Sequence, residues 1–279
     1  MEKMQWMQWM KERSSVRTFE NKEIEEEHLE QLKRALEDAN QVLSKKAYFK
    51  LIQNNSKRDE TQKLGTYGII QGTRDFIAVI TTQDEVDAKH LGYQIEKIVL
   101  IATGLDLGTC WLGGTFNRSS FENHLALLSN EKLVILIAIG YRKNKQSMIE
   151  STMRFIAKSN HRKNSSELFF EGDDKTALDL SSIGEYKRVL EMVRIAPSAS
   201  NKQPWRVIKE LDNYHFYRTR TPGYGWMSYD LQSNDIGIAQ CHFELTALEL
   251  GMDGKWENVK TAPSFSTWEY VESWKCKIK

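Results

Sequence analysis

The sequence predicts an α+β protein built from two related halves, and three observations carry that expectation. First, segments with helical periodicity alternate with short apolar runs of strand type. Second, two stretches of the first half return in the same order in the second. Lys33-Arg34-Ala35-Leu36-Glu37 reappears as Lys187-Arg188-Val189-Leu190-Glu191, and Thr103-Gly104-Leu105-Asp106-Leu107-Gly108 as Thr246-Ala247-Leu248-Glu249-Leu250-Gly251, at offsets of 154 and 143 residues. Third, a polar segment between two prolines, Ile195 to Trp205, separates a helical pattern from a strand pattern in the second half and has no counterpart in the first. Together these place a first lobe at residues 1–166 and a second at 167–279.

Bulk properties narrow the function classes. The chain has 279 residues, enough for one large domain or two lobes. Thirty-nine Lys and Arg stand against 38 Asp and Glu, a formal charge of +1 that lacks the basic excess of a nucleic-acid footprint. Cys110, Cys241 and Cys276 form no CxxC pair and no Cys/His zinc spacing, so neither a metal site nor a disulfide frame is expected. The longest apolar run, Leu133 to Ile139, is too short to span a bilayer. The first residues alternate polar and apolar with no continuous apolar core, unlike a signal peptide. The expectation is a soluble cytoplasmic protein with neither nucleic-acid nor membrane partners.

In chain order, Met4, Trp6, Met7, Trp9 and Met10 give a short amphipathic helix. Arg13-Ser14-Ser15-Val16-Arg17-Thr18-Phe19 follows. Two guanidiniums and two hydroxyls in five residues can cup a phosphate, because Arg offers a planar fork of donors and Ser a short hydrogen bond. Glu23 to Gln41 reads as a helix with Asn21 as N-cap. Ala47 to Ile52 reads as a strand, Asn54 to Lys63 as a polar loop, Gly65 to Gly72 as a turn and Asp75 to Ile80 as a buried strand. Ala88 to Leu107 reads as a long apolar helix closed by Gly108. Thr109 to Phe116 then reads as a loop whose Gly113 and Gly114 let backbone approach a flat ring. Phe121 to Leu128 is a short helix and Leu133 to Tyr141 a central strand. The polar stretch 142–166 carries Arg154, Lys158, Arg162 and Lys163.

In the second half, Pro197 stops the preceding helix, and Ser198, Ala199, Ser200, Asn201 and Gln203 form a loop of short polar side chains suited to a ligand rich in hydrogen-bonding edges. Trp205-Arg206-Val207-Ile208 opens a strand. Tyr224, Trp226 and Tyr229 follow Pro222-Gly223 in an aromatic segment, Arg218 to Asp230, that either walls a substrate pocket or covers core. His242 and Cys110 read as packed side chains rather than catalytic ones.

The loop Ala196-Pro197-Ser198-Ala199-Ser200-Asn201-Lys202-Gln203-Pro204-Trp205 is similar to the flavin-binding loop of the nitroreductase family, A-P-S-x-x-N-x-Q-P-W. Arg13 to Phe19 resembles the family's R-x-S-x-R-x-F phosphate signature. His161 to Glu167 matches the family's second basic phosphate motif imperfectly, lacking its proline, and carries over Arg162. The resemblance implies a nitroreductase-like α+β fold with a mainly antiparallel sheet in each lobe. It also implies that one chain does the work of the family's usual homodimer. Residues Arg13, Ser14, Ser15, Arg17 and Arg162 would take the FMN phosphate. Leu112, Gly113, Gly114, Pro197, Ser198, Ala199, Asn201 and Gln203 would take the ring and ribityl chain. A monomer would then suffice for one FMN site. The implied activity is ping-pong reduction of a nitroaromatic, quinone or similar planar acceptor by NADH or NADPH, with no catalytic side chain required. No G-x-G-x-x-G or P-loop motif is present, so the nicotinamide donor would dock only transiently. The rival expectation is an FMN-binding or cofactor-free protein without this activity.

Overall fold

A computed structural model describes residues 5–43, 46–53, 65–73, 75–82, 86–143, 161–221 and 229–277. The whole predicted loop 54–63, together with Arg154, Lys158, Tyr224 and Trp226, lies outside the described residues. By chain contacts the molecule divides into two compact units. One comprises Met1–Lys11, Ala88–Glu96 and Ala157–Lys279, the other Glu12–Asp87 and Lys97–Ile156.

The second of these units holds helix α2 (Glu26–Val42), strands β1 (Ala47–Ile52) and β2 (Asp75–Thr81), the C-terminal half of helix α3 (Ala88–Gly104), strand β3 (Leu107–Leu112), helix α4 (Arg118–Leu125) and strand β4 (Lys132–Tyr141). Its sheet runs β1-β2-β4-β3, antiparallel throughout. β2 and β4 are central and buried along nearly their whole length, which is why they read as unbroken apolar runs. Phe76, Phe116 and Phe121 meet edge to face beneath the sheet, with ring centroids 5.1 and 5.7 Å apart.

The other unit holds helix α1 (Trp6–Glu12, whose last residue falls past the division), the N-terminal half of α3, helix α5 (Ser165–Leu168), strand β5 (Phe169–Glu171), helix α6 (Tyr186–Ile195), strands β6 (Trp205–Glu210) and β7 (Asn213–Arg218), helix α7 (Leu231–Glu249) and strands β8 (Gly254–Glu257) and β9 (Glu269–Cys276). Its sheet runs β5-β6-β7-β9-β8, antiparallel except for the short β5 edge. Leaving out β5, this order repeats that of the first sheet, with β6, β7, β9 and β8 in the places of β1, β2, β4 and β3. In both halves one helix leads into the outer strand (α2 into β1, α6 into β6) and another precedes the opposite edge (α3 into β3, α7 into β8). The fold is therefore α+β with two antiparallel-dominated sheets of matching topology.

The short sequence repeat misjudged the register of the match. The left-handed residues that end the long helices are Asp106 (φ 58) and Gly251 (φ 70), an offset of 145 rather than 143. The same offset relates two glycines at a helix crossing, Gly92 and Gly237. A Cβ on Gly92 would lie 2.1 Å from the Asn234 carbonyl oxygen, and one on Gly237 would lie 1.8 Å from that of Lys89. α3 and α7 thus meet backbone to backbone, each supplying the residue without a side chain. Further along this seam, the fully buried His242 contacts the Met192 carbonyl through Nδ1 at 2.9 Å and Glu96 through Nε2 at 3.0 Å. Because a carbonyl only accepts, Nδ1 carries a hydrogen, and one proton is shared between Nε2 and the carboxyl. His242 is packed, as expected, and so is Cys110, which is 2% exposed.

Three local expectations are corrected. Gly108 is not a helix cap: α3 stops at Gly104, Asp106 makes the turn, and Gly108 lies inside β3. Thr109 to Leu112 is accordingly strand rather than loop. α2 begins at Glu26 with Glu25 as its N-cap, not Asn21, because Ile24 is first carried into the core (7% exposed) on non-helical backbone and the Tyr141 hydroxyl accepts the Glu25 N–H at 3.3 Å. No helix among the described residues is long and apolar enough to cross a membrane.

The crossing sets a sharp stability requirement. Gly237→Ala is expected to lower the unfolding free energy by about 3 kcal/mol, since the obstructing atoms are backbone and cannot turn aside. Leu248→Ala, at a side chain 53% exposed on the same helix, should stay within about 0.5 kcal/mol in the same urea titration.

Candidate functional site

The sequence candidates fall into two groups, one in each unit. In the unit containing Glu12–Asp87, the segment Arg13 to Phe19 is extended and held from both sides. Val16 N–H donates to the Thr109 carbonyl at 2.8 Å, so the segment runs beside the start of β3. Phe19 N–H donates to Gln71, Gln71 N–H returns to Arg17, and Glu20 N–H reaches Tyr141 at the end of β4. Val16 and Phe19 are buried at 1% and 2% exposure. Two glycines permit this close passage. A Cβ on Gly108 would lie 2.8 Å from a Val16 methyl, and one on Gly72 would lie 2.1 Å from the Phe19 carbonyl oxygen. Alternation along the extended chain sets Arg13, Ser15 and Arg17 apart from Val16, and all three are half-buried. The β3 pairing also brings Leu112, Gly113 and Gly114 into the same unit, with Leu112 buried and the glycines in the bend after the strand.

Sequence reasoning missed Arg142. It follows β4 directly and its guanidinium donates to the Ser14 hydroxyl at 2.6 Å, adding a third arginine to this segment. Its sequence signal is a basic residue immediately after a central strand, which the denser basic stretch that follows obscures.

In the other unit, the loop from Ala196 to Pro204 is tied at several points. α6 ends at Ile195, and the guanidinium of Arg162 donates to the helix-terminal Ile195 carbonyl through Nε (3.3 Å) and one terminal nitrogen (3.1 Å). Its other terminal nitrogen donates to Asn201 Oδ1 at 2.7 Å. Arg162 therefore closes a helix end onto the loop. Asn201 Nδ2 donates to the His161 carbonyl at 2.7 Å. Gln203 is 2% exposed, accepts from Lys163 N–H at 2.9 Å and donates to the His161 and Asn201 carbonyls. Ser198 Oγ accepts the Gln203 N–H at 2.9 Å. Asn201 and Gln203 thus build the loop from within, and residues 161–163 form its outer wall.

The far side is held by α7. Ala199 N–H points between the two oxygens of Asp235, at 3.0 and 3.1 Å. Asp235 is 2% exposed, and burial pushes its pKa well above the ordinary aspartate value, partly opposed by that backbone hydrogen bond. Within this frame Ser200, Asn201 and Gln203 all have positive φ, near 50°. Non-glycine residues in this region are strained and persist only where surrounding contacts over-determine them, a condition common at ligand sites.

The loop also gathers positive charge. Burial, and then Arg206 and Lys202, depress the pKa of half-buried Lys163, while burial depresses that of Arg206. Arg206 itself donates to the Gln203 and Trp205 carbonyls. Neither Lys163 nor Arg206 was a sequence candidate. A basic residue on the polar side of a strand carries no signal until the loop beside it is seen.

A family model described as "Putative TM nitroreductase" matches residues 5–247. The chain belongs to this nitroreductase family. A solved structure of a "putative nitroreductase" from Thermotoga maritima aligns over 99% of this chain and 95% of its own, at 18% identity and a TM-score of 0.61, which shows a shared fold. A "putative NADH oxidase" from Clostridium acetobutylicum aligns over 50% of this chain and 89% of its own, at 24% identity and a TM-score of 0.40. An FMN-dependent nitroreductase from Clostridium difficile aligns over 50% and 88%, at 18% identity and a TM-score of 0.39. Comparison with curated proteins gave no match.

Asp235 gives this family member a defined pH response. Its folded pKa lies above the ordinary unfolded value of about 3.9, so the folded state holds the extra proton and loses stability as pH rises through the interval. Asp235→Asn cannot ionise and still offers Ala199 an acceptor. Urea titrations should show the Asn variant gaining on the parent between pH 4.5 and pH 7.5. A constant difference would contradict the raised pKa.

Proposed function

We propose that the chain is an FMN-dependent NAD(P)H oxidoreductase that reduces nitroaromatic, quinone or similar planar acceptors by ping-pong transfer, and that one polypeptide carries one complete flavin site. Family membership supports oxidoreductase activity. The observation that carries the cofactor assignment is the donor set at Arg13 to Arg17: two half-buried arginines and two serines on a segment fixed along β3, with Arg142 added at Ser14. Such a set fits a phosphate dianion. The second donor set also fits. The rigid Pro197–Gln203 loop suits the ring system, and its cationic surroundings of Arg162, Lys163 and Arg206 favour a ring that gains negative charge on reduction.

In this reading Arg13, Ser14, Ser15, Arg17 and Arg142 anchor the phosphate. Pro197, Ser198 and Ala199 face the ring, with Leu112, Gly113 and Gly114 giving close backbone approach. Arg162, Asn201 and Gln203 hold the loop in shape, and Asp235 fixes its Ala199 amide. FMN, when bound, supplies the two-electron chemistry, with NADH or NADPH as donor. The chain needs no side-chain acid or base for this. Its task is to orient the donor and acceptor in turn and to set the charge around the ring. The described residues offer no separate nucleotide motif, so the nicotinamide donor and the acceptor occupy the same space in succession.

Purified protein should carry, or take up, one FMN per chain. Arg13→Ala removes one charge-assisted bond, worth about 1.5–3 kcal/mol, so FMN affinity should fall about 10- to 150-fold in a fluorescence titration. An Arg13→Ala variant that retains stoichiometric flavin would reject the phosphate assignment. A parent protein that is colourless and fails to take up added FMN would reject the function.

A further inference from the structure

The outward face of the second sheet carries a small satellite core unrelated to the flavin loop. Phe170, Ile208 and Tyr217 are buried there, with Phe265, Trp268 and Tyr270 packed against them. The segment from Asn258 to Trp268, which joins β8 to β9, covers this face. It lies past residue 247, where the match to the family model ends. Between the segment and the sheet is a concavity of about 280 Å³, walled by Tyr217, Phe265, Trp268 and Tyr270 with Asn258 and Lys260 at its edge.

The walls are fixed before any ligand arrives. The Tyr217 hydroxyl donates to the Pro263 carbonyl at 2.7 Å, and the Tyr270 hydroxyl accepts the Val259 N–H at 2.8 Å. Behind Tyr270 runs a buried polar chain: its hydroxyl meets Ser273 Oγ at 2.7 Å, and Ser273 meets His215 Nδ1 at 2.6 Å. His215 Nε2 in turn faces the Glu210 carboxylate at 3.5 Å. With His215 neutral, donation can run from Tyr270 to Ser273 to Nδ1, while Nε2 stands at ion-pair distance from Glu210 without a hydrogen bond to it. Burial depresses the His215 pKa, in keeping with that state. Tyr217 stands edge to face with Phe265 and Tyr270, at centroid distances of 5.2 and 5.6 Å. By contrast, the polar groups at the rim are not committed. Asn258, Lys260 and Ser264 are exposed, and their side chains make no hydrogen bond or ion pair with the described residues.

We infer that this concavity is a second ligand site, distinct from the proposed flavin site, for a small planar aromatic molecule carrying an anionic substituent. Aromatic walls held by hydrogen bonds accept a flat apolar body without rearrangement. A cavity of about 150 Å³ holds benzene, so the volume here accommodates a fused two-ring ligand. Lys260, with Asn258 and Ser264 beside it, supplies a cation and neutral donors where the substituent would emerge.

The test is calorimetric titration of the full-length, flavin-loaded protein with 2-naphthoate and with neutral 2-naphthamide. Saturable binding of 2-naphthoate is expected. Lys260→Glu, at an exposed position, should weaken 2-naphthoate about tenfold while leaving 2-naphthamide within about twofold. Ala262→Phe, which fills the concavity, should abolish binding of both probes, with circular dichroism confirming that it folds. Arg13→Ala should bind 2-naphthoate like the parent, because the inference does not rest on the flavin site. Absence of saturable binding, or binding untouched by both Lys260→Glu and Ala262→Phe, would overturn the site. So would binding lost in Arg13→Ala, which would place the probe at the flavin. Equal weakening of the two probes by Lys260→Glu would overturn the anion preference.

Discussion

The close crossing of α3 and α7 at Gly92 and Gly237 is the constraint on which the candidate loop depends. With backbone oxygens about 2 Å from where either Cβ would be, neither helix can shift or roll without a clash. Asp235 lies two residues before Gly237 on α7, so the crossing fixes its carboxyl, and the carboxyl fixes Ala199. The seam is reinforced by His242, which links Glu96 on α3 to the Met192 carbonyl on α6, the helix that ends where the loop begins. Removing one partner of so buried a pair costs about 3–5 kcal/mol, far more than the pair contributes relative to an apolar replacement. Its value to the structure is therefore geometric: it keeps three helices in one register.

The loop shows how strain and hydrogen bonding balance. Three consecutive-region residues with positive φ, Ser200, Asn201 and Gln203, each cost on the order of 1 kcal/mol or more, least for Asn. The offset comes from part-buried hydrogen bonds: two from the Arg162 guanidinium to the α6 end, one to Asn201, and those tying Gln203 to residues 161–163. Residue types that sequence logic assigns to ligand contact are here used first to build the platform. That division is physically sensible, since a buried amide already satisfied by the protein has no unmet polar demand and holds its geometry whether or not a ligand is present.

Much of this was legible beforehand, for identifiable reasons. β2 and β4 were readable because strands buried on both faces are apolar throughout, and the Pro197 loop because two prolines bracket short polar residues. β3 was missed because Gly108 follows a helical pattern and so imitates a C-cap. Its real role is to let Val16 pass, a long-range contact that leaves no local trace. Asp235 was invisible for the same reason, being one more polar residue at the start of a helix until Ala199 is seen beside it. Arg142 was legible in position but not in purpose, because its partner Ser14 is 128 residues away.

The matched sheets show how one connecting loop can differ between halves whose frames agree. In both halves the ladder fixes strand order through backbone hydrogen bonds, which are indifferent to what connects a helix to the first strand. After α2 the chain reaches β1 through Leu43 to Lys46, whereas after α6 it takes the longer route from Ala196 to Pro204 before β6. Such a connection lies outside the ladder, so lengthening it alters no strand pair, and its entropic cost grows only slowly with length. The long helices could not vary in this way. Gly92 and Gly237 are each needed by the backbone of the opposite helix, so the crossing requires a glycine on both helices while the residues that end them, Asp106 and Gly251, differ.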